Sequence, residues 1–418
     1  MAKISRMLLA VIALQSTILA EDLCSTTPYS YSLAKTTYPN LKTALETLEQ
    51  YSITAWYTDR QSEAASTALL ANITSKCSED TRMTIVVYGL PNKDCNAGLS
   101  SDGTVQNSKD YEKFLSKLTS AIGSRKVLYI VEPDAVGLLA DNGCGKAAGY
   151  LENLKIAVTA LSANPNAVLY MDIGYWLLAD PSKTTEVAKI VKELCTSSNL
   201  KGVAINTSNY RSNDECTTYC NNFQTAMGST TMSCIVDTSR NYNGSPTTDW
   251  CNIKSAGIGK PPTSETGFSN IDYYLWVKPP GESDGICSGV TQSNVSLTGV
   301  NAGSFYDEGF RLLWDQGYFV KEQGMPMISD GSTVETIGKT GLETLDNSVE
   351  QDVGQDSDST TTEAGTVTPV DIESLGIPTT PSIPTTNTTT AIETPNVTPS
   401  TIPLINSSCK TKTSLRQL

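Results

Sequence analysis

The sequence predicts an α/β protein built on a parallel sheet, either open or closed into a barrel. Stretches with apolar residues at helical spacing, such as Tyr111–Ile122, Ala147–Leu161 and Thr185–Cys195, separate runs rich in β-branched and aromatic residues. These runs are the candidate strands Ile53–Tyr57, Thr84–Tyr88, Val127–Val131, Ala167–Asp172, Gly202–Asn206, Ser233–Asp237 and Tyr273–Val277. Regular alternation of strands and helices is typical of parallel sheets.

Both ends of the 418-residue chain are expected to lie outside this domain. Residues 1–20 have the pattern of a signal peptide, with Lys3 and Arg6 before the apolar run Met7–Leu14 and with Ala20 at the cleavage point. That run is too short to span a membrane. Residues 327–418 are rich in Thr, Ser and Pro, which predicts a disordered, glycosylated tail. The folded domain is therefore expected over residues 21–326.

Composition restricts the chemistry. The chain has no histidine, so Ser-His-Asp triads and histidine zinc sites are excluded. Acid–base work must fall to carboxylates, Lys, Tyr or Cys with shifted pKa values. The formal charge of −14 disfavours nucleic acid as a partner and leaves neutral polysaccharides open.

The eleven cysteines favour an oxidising compartment. Their odd number leaves at least one of them without a partner inside the chain. No pair has the CxxC spacing of a zinc site, and the four-residue spacing of Cys216 and Cys220 favours a local disulfide over a metal.

Polar residues at the ends of the candidate strands are the candidate site, because parallel α/β folds bind ligands at the carboxyl ends of their strands. These positions hold Asp94, Asp134, Asp172, Asn206, Asp237 and Asp284.

Three stretches, Val86–Cys95, Leu128–Val136 and Leu275–Gly285, each run from an apolar strand into a turn that carries carboxylates. Matching pieces also occur at Asn206–Arg211, Val236–Asn241 and Asp249–Asn252. With this ordered set the chain resembles glycoside hydrolase family 6, the cellulases that include cellobiohydrolases and endoglucanases, over residues 55–319. The resemblance implies a distorted seven-stranded β/α barrel, similar to a TIM barrel, with residues 21–326 as the catalytic domain. It also implies inverting hydrolysis of β-1,4-glucan without metal or organic cofactor.

The resemblance assigns three catalytic aspartates. Asp134 matches the general acid that protonates the leaving glycosidic oxygen. Asp94 matches the aspartate that keeps this acid protonated, since two nearby carboxylates resist ionising together. Asp284 matches the proposed general base. A helix N-cap at a βα loop is the alternative for Asp134.

The resemblance also implies a set of substrate-binding residues: Trp56, Tyr88, Asp172, Asn206, Asn209, Trp250, Lys278 and Glu282. Trp56 and Trp250 match stacking platforms for glucose rings, with ordinary core packing as the alternative. For Asn206 and Asn209, the alternative is a structural role within the loop. Trp276 and Trp314 are expected in the core.

Disulfides Cys95–Cys144 and Cys251–Cys287 are implied by the same resemblance, which leaves the other seven cysteines undecided. The chain departs from the family pattern at Lys93, where arginine is usual, and at Tyr175, where many members have histidine. Asp59 is expected either as an additional carboxylate in the cleft or as a surface residue.

The mode of action is expected to be endo, because Cys287 follows Asp284 closely and leaves no room for the longer insertion of exo-acting fungal members. An exo-acting cellobiohydrolase is one alternative. A non-catalytic, wall-associated glucan-binding protein is another, and the Thr/Ser-rich tail fits it equally well. The expected partner is cellulose or another β-1,4-glucan, bound by a secreted monomer.

Overall fold

The computed structural model describes residues 21–197, 199–289 and 294–328. The predicted signal peptide, and the predicted tail from residue 329 on, lie outside these residues. The strands are β1 (Leu23–Cys24), β2 (Ala55–Thr58), β3 (Arg82–Tyr88), β4 (Val127–Val131), β5 (Ala167–Asp172), β6 (Leu200–Ile205), β7 (Ser233–Asp237) and β8 (Ile271–Leu275). The helices are α1 (Tyr29–Thr37), α2 (Lys42–Leu48), α3 (Glu63–Lys76), α4 (Ser108–Ile122), α5 (Ala135–Leu139), α6 (Tyr150–Leu161), α7 (Pro181–Leu194), α8 (Asn213–Met227), α9 (Asp307–Asp315) and α10 (Tyr318–Lys321), with a 3₁₀ turn at Pro39–Leu41.

The strands form one parallel sheet in the order β2 to β8, and the short β1 pairs with the start of β3. In the described part of the chain, β2 and β8 meet through one bridge between Ile53 and Trp276. The backbone N–H of Thr54 donates to the Trp276 carbonyl at 2.9 Å. The predicted distorted barrel of seven parallel strands is confirmed, and β1 is an addition to it.

Side chains alternate across the sheet. In β4, Val127, Tyr129 and Val131 pack under the surrounding helices. Leu128 and Ile130 point into the barrel and pack there with residues of β3 and β5 to β8. This two-residue period explains why the strands read as continuous apolar runs, since both faces are buried.

Helix starts are fixed by local side chains. Asn107 and Asp180 accept hydrogen bonds from the first backbone N–H groups of α4 and α7. Ser212 and Glu215 form a capping box at α8. Each cap satisfies donors that the helix leaves open and so fixes where the preceding loop ends.

The structure contains both disulfides implied by the resemblance, Cys95–Cys144 and Cys251–Cys287, together with Cys24–Cys77. The expected bridge between Cys216 and Cys220 is wrong. Cys220 faces β7 and bonds to Cys234, while Cys216 is buried as a free thiol. Spacing along the helix does not reveal that a strand supplies the nearer partner. Among the described residues, no helix is both long and apolar enough to cross a membrane.

Candidate active site

A groove of about 1650 Å³ opens where the strands end. It is lined by most of the predicted site residues, namely Trp56, Tyr88, Asp94, Asp134, Asn209, Trp250, Lys278, Glu282 and Asp284. Asp172 and Asn206 are fully buried and do not line it. The sequence pattern therefore locates the groove, but it does not distinguish residues that line the groove from residues buried beneath it.

Asp134 follows β4 and occupies the N-cap position of α5 with a left-handed φ of 66°. Its side chain makes no capping hydrogen bond, so it does not play the role of an ordinary N-cap. Oδ1 is shielded from solvent and has no hydrogen-bond partner. Burial, reinforced by the negative charges of Asp172 and Asp94, raises the pKa of Asp134 well above its ordinary value. The groove thus holds a carboxyl group that retains its proton.

Asp172 lies directly beneath this group, at the end of β5. Its Oδ1 accepts hydrogen bonds from the backbone N–H of Asp134 at 2.8 Å and of Gly174 at 2.9 Å. Burial raises the pKa of Asp172, but two amide donors stabilise its ionised form. Asp134 lacks such donors and therefore keeps the proton. Asp172 affects Asp134 more strongly than Asp94, the predicted partner, does.

Asp94 lies in the loop after β3. Its Oδ2 accepts from the backbone N–H of Ser100 at 2.7 Å and from the Ser100 hydroxyl at 3.0 Å. The same hydroxyl is 3.2 Å from the Tyr88 hydroxyl. The disulfide Cys95–Cys144 ties this loop to the segment after α5. Hydrogen bonds therefore join Asp94, Ser100 and Tyr88 into one cluster.

Lys93, the departure from the family pattern, forms a buried ion pair with Asp59 at 2.7 Å. Its Nζ also donates to the carbonyl of Asp102 at 2.6 Å, and Asp59 Oδ2 accepts from the backbone N–H of Val105 at 2.9 Å. Asp59 is 4% exposed and does not line the groove, so both expectations for it are wrong. The ion pair and these hydrogen bonds instead fasten both ends of the loop that carries Asp94 to Asp59.

Asp284 lies in the loop after β8 and is surrounded by donors. Oδ2 accepts from Arg240 at 2.8 Å, from the Tyr210 hydroxyl at 2.6 Å and from the backbone N–H of Asn252 at 2.9 Å. Oδ1 lies 3.8 Å from the ammonium of Lys278. Burial opposes ionisation, but the charges of Arg240 and Lys278 outweigh it and hold the pKa of Asp284 below its ordinary value. Asp284 is an ionised carboxylate.

Sequence reasoning did not assign Arg240 and Tyr210, although both stand in stretches that match the family. Arg240 is 2% exposed, and its guanidinium stacks 4.4 Å from the Tyr210 ring centroid. A fully buried arginine needs a carboxylate partner. Arg240 follows the strand-end Asp237 in the sequence and lies far from Asp284 along the chain, so no sequence signal identified this contact.

Asp237 joins three strand ends beneath the groove. Its carboxylate accepts from the backbone N–H groups of Ser208, Ser239, Val277 and Lys278, at 2.9–3.1 Å. These contacts place the loops that carry Asn209 and Lys278 at fixed positions. Asp237 is a strand-end aspartate whose role is to hold backbone.

Lys278 and Glu282 border the groove but already have protein partners. The Lys278 ammonium donates to the Ser283 carbonyl at 2.9 Å, and burial lowers the pKa of this group. Glu282 Oε1 accepts from the Ser30 hydroxyl of α1 at 2.8 Å. Each side chain is held in place before any ligand binds.

The two predicted asparagines differ. Asn206 donates through Nδ2 to the carbonyls of Arg211 and Asp237 and accepts from the Arg211 backbone N–H, so its amide is fully used inside the fold. Asn209 lines the groove and donates to the Thr207 carbonyl at 3.0 Å. Asn206 therefore has the loop role that was its alternative.

The tryptophans divide as expected between groove and core. Trp56 and Trp250 line the groove, whereas Trp276 and Trp314 are buried. The Trp56 indole N–H donates to the Val277 carbonyl at 2.7 Å, which fixes the ring across the seam between β2 and β8. Trp176, 39% exposed, also lines the groove and was not assigned a role from the sequence.

Glu132 is a further buried carboxyl, two residues before Asp134. It accepts from the backbone N–H groups of Gly89 and Leu90 at 3.0 Å and from the Tyr111 hydroxyl at 2.7 Å. Burial raises the pKa of Glu132 to about 7 despite these donors. It holds the end of β3 beside the end of β4.

A carboxylate-lined groove at the carboxyl edge of a β/α barrel, with one protonated and one ionised aspartate, is typical of glycoside hydrolases that use two carboxylates. Within the described residues, no cluster of three or more His, Cys, Asp or Glu is placed to hold a metal ion. Residues 24–316 match the family model described as glycosyl hydrolases family 6, and the chain belongs to this family.

Curated relatives named as endoglucanases and as cellobiohydrolases resemble the chain. It is 32% identical over 207 residues to endoglucanase A of Thermobispora bispora, covering 48% of this chain and 43% of that relative. It is 31% identical over 279 residues to 1,4-beta-D-glucan cellobiohydrolase C of Emericella nidulans, covering 56% and 59%. The chain spans about half the length of the curated relatives that it matches.

Solved structures align with 71% of the chain. The family 6 enzyme of Orpinomyces sp. Y102 aligns with a TM-score of 0.61 at 25% identity, covering 71% of this chain and 97% of that one. The endoglucanase Cel6 from Mycobacterium tuberculosis, in complex with a thio-linked cellobioside, aligns with a TM-score of 0.60 at 25% identity, covering 71% and 98%.

Proposed function

We propose that this chain is a secreted β-1,4-glucanase that inverts the anomeric centre and cleaves internal bonds of cellulose. One observation carries the proposal: Asp134 is a partly buried carboxyl group whose pKa is raised, and it lines the same groove as Asp284, whose pKa is lowered. Family membership and the names of the relatives support the substrate class.

Asp134 acts as the general acid in this proposal. Its proton passes to the glycosidic oxygen as the bond to the anomeric carbon breaks, so the sugar that leaves does so as a neutral alcohol. Asp172 and Asp94 keep the acid protonated until that step.

Asp284 acts as the general base in this proposal. Its Oδ2 is occupied by three donors, so Oδ1 is the atom available to a water molecule. An inverting pair needs room for that water and stands roughly 6.5–9.5 Å apart. Since Arg240 and Lys278 make Asp284 a weak base, its charge also stabilises the oxocarbenium-like transition state.

Substrate is held by aromatic faces and polar groups along the groove. Trp56 and Trp250 offer rings for the apolar faces of glucose. Tyr88 lies beside Trp56, with ring centroids 5.5 Å apart. In this proposal Tyr88 lies under the sugar at the cleavage point. Asn209, Lys278 and Glu282 supply hydrogen bonds to sugar hydroxyls.

An endo mode is favoured by the loop after β8. Two residues separate Asp284 from Cys287, which is fastened to Cys251, so little chain is available there to cover the groove. The exposed Trp176 is consistent with an open groove. The exo alternative has support from the relatives that are named cellobiohydrolases.

Secretion is supported by the disulfides and by the pattern of residues 1–20. We assign residues 21–326 to the catalytic domain, residues 1–20 to the signal peptide and residues 327–418 to a glycosylated tail. Attachment to a cell wall and a monomeric state belong to the same proposal.

Proton NMR of the first product from cello-oligosaccharides tests activity, bond position and stereochemistry together. The expected first product is the α-anomer. An initial β-anomer contradicts inversion, and the absence of any product contradicts the assignment as a glucanase.

The endo mode is tested by the viscosity of soluble carboxymethylcellulose. Cleavage of internal bonds lowers viscosity steeply when few reducing ends have formed. A slow fall in viscosity, with cellobiose as nearly the sole early product, establishes the exo alternative.

A further inference from the structure

Helix α1 presents large apolar side chains to solvent beside the groove. Tyr29 is 87% exposed and Leu33 is 64% exposed. The two residues are four apart on a helix and therefore share one face. Contiguous exposed apolar patches are a feature of binding surfaces.

The opposite face of α1 is fixed to the barrel. Tyr31 and Ala34 are buried, and the Tyr31 hydroxyl donates to the Pro280 carbonyl at 2.8 Å. Ser30 donates to Glu282, which the proposed function places at a sugar hydroxyl. The exposed face is thus held at a fixed position relative to the groove, as a binding platform must be.

A second wall faces the same space. Helix α3 contributes Ala65, Ala68, Leu69 and Asn72, which recur at helical spacing along one face. Tyr29, Leu33 and these residues line the same continuous groove as Trp56 and Asp134. The groove therefore continues beyond Trp56, between α1 and α3, past the end that sequence reasoning assigned to substrate.

We propose that Tyr29 and Leu33 form an additional glucose-binding subsite that receives the β-1,4-glucan chain beyond Trp56. The proposal rests on the proposed function. The wall residues are uncharged, and they combine an aromatic ring, small apolar side chains and the Asn72 amide. That set suits a neutral ribbon with apolar ring faces and hydroxyl edges, while the net charge of −14 disfavours an anionic occupant.

The test compares kcat/KM on cellohexaose and on cellotetraose for the wild type and for the Tyr29→Ala/Leu33→Ala variant. Loss of one stacking platform lowers kcat/KM for cellohexaose roughly 3- to 10-fold. The value for cellotetraose stays within about twofold, because the shorter chain is accommodated without this subsite. The Tyr29→Trp variant keeps the wild-type ratio of the kcat/KM value for cellohexaose to that for cellotetraose, since it retains an aromatic face at this position.

Phe268→Ala is the matched control, since Phe268 is 39% exposed and does not line the groove. It leaves both values unchanged. An equal loss on both substrates, or no loss on either, overturns the subsite. A lower melting temperature of the double variant with an unchanged ratio also overturns it and identifies the face as a packing surface for another part of the chain. A wild type that cleaves neither substrate refutes the proposed function itself, independently of the ratio.

Discussion

The turn after β4 and the loop after β8 place carboxylates in the same groove under opposite conditions. Asp134 has an orphaned oxygen and negative neighbours, and its pKa is raised. Asp284 has three hydrogen-bond donors and two cationic neighbours, and its pKa is lowered. Both residues are aspartates that follow a parallel strand, so residue type and position do not distinguish them.

Their surroundings therefore decide which one can donate a proton. The turn after β4 withholds partners from its aspartate, and the loop after β8 supplies them. Four substitutions test this contrast.

Removing the carboxyl of Asp134 should have the largest effect. In the Asp134→Asn variant, kcat should fall roughly a hundred- to ten-thousandfold, because the leaving oxygen no longer receives a proton. Binding of cellotetraose, measured by calorimetry, should persist. Asp141→Asn is the control, since Asp141 also lines the groove but is paired with Lys183. Unchanged activity in Asp134→Asn refutes the acid assignment.

Replacing Arg240 should disrupt the surroundings that keep Asp284 ionised. Arg240→Met leaves Asp284 without its nearest charge and should lower the free energy of unfolding by about 3–5 kcal/mol. Because the pKa of Asp284 is lowered in the fold, its ion pair stabilises the protein above the pKa of an unfolded aspartate, about 4, and is lost in acid. Denaturation by urea at pH 7 and at pH 3 measures this. An equal loss at both pH values contradicts the ion pair as the cause.

Breaking the pair of Lys93 and Asp59 should loosen the loop that carries Asp94. Asp59→Asn keeps the shape but leaves the buried ammonium unpaired, at a cost of about 3 kcal/mol. We expect kcat to fall more than KM rises, since the loop positions Asp94 beside the acid. Lys155→Met is the control, because its ion pairs with Glu152 and Glu193 lie on the surface. Equal stability of the Asp59→Asn variant and the wild type contradicts the proposal that the ion pair of Lys93 and Asp59 holds this loop in place.

Neutralising Asp172 should have the smallest effect on rate and a clear effect on pH dependence. Asp172→Asn removes the strongest negative neighbour of Asp134, so the pKa of Asp134 should fall. Since the acid must be protonated, the alkaline limb of the profile of kcat/KM against pH should move to lower pH. The Asp141→Asn variant should show no such movement. A shift to higher pH is incompatible with the proposed arrangement.

Sequence reasoning located the barrel because its strands are buried on both faces and read as apolar runs. It located the groove because turns with Asp94, Asp134 and Asp284 follow those strands. It did not distinguish Asp172 and Asn206 on the floor from residues on the surface, since strand-end position carries no information on depth. The contacts of Asp284 with Arg240 and Tyr210 join distant parts of the chain, which spacing within one motif does not show.

Glu132 links this active site to the stability of the whole chain. Its pKa of about 7 lies above that of a glutamate in an unfolded chain, so the folded protein holds a proton that unfolding near pH 6 releases. This contribution to stability is complete below about pH 4 and is lost as the pH rises through 7. Without histidine, buried carboxylates are the side chains that govern such proton exchange in mild acid. The protein should resist heat best in slightly acidic surroundings, where Asp134 also holds its proton.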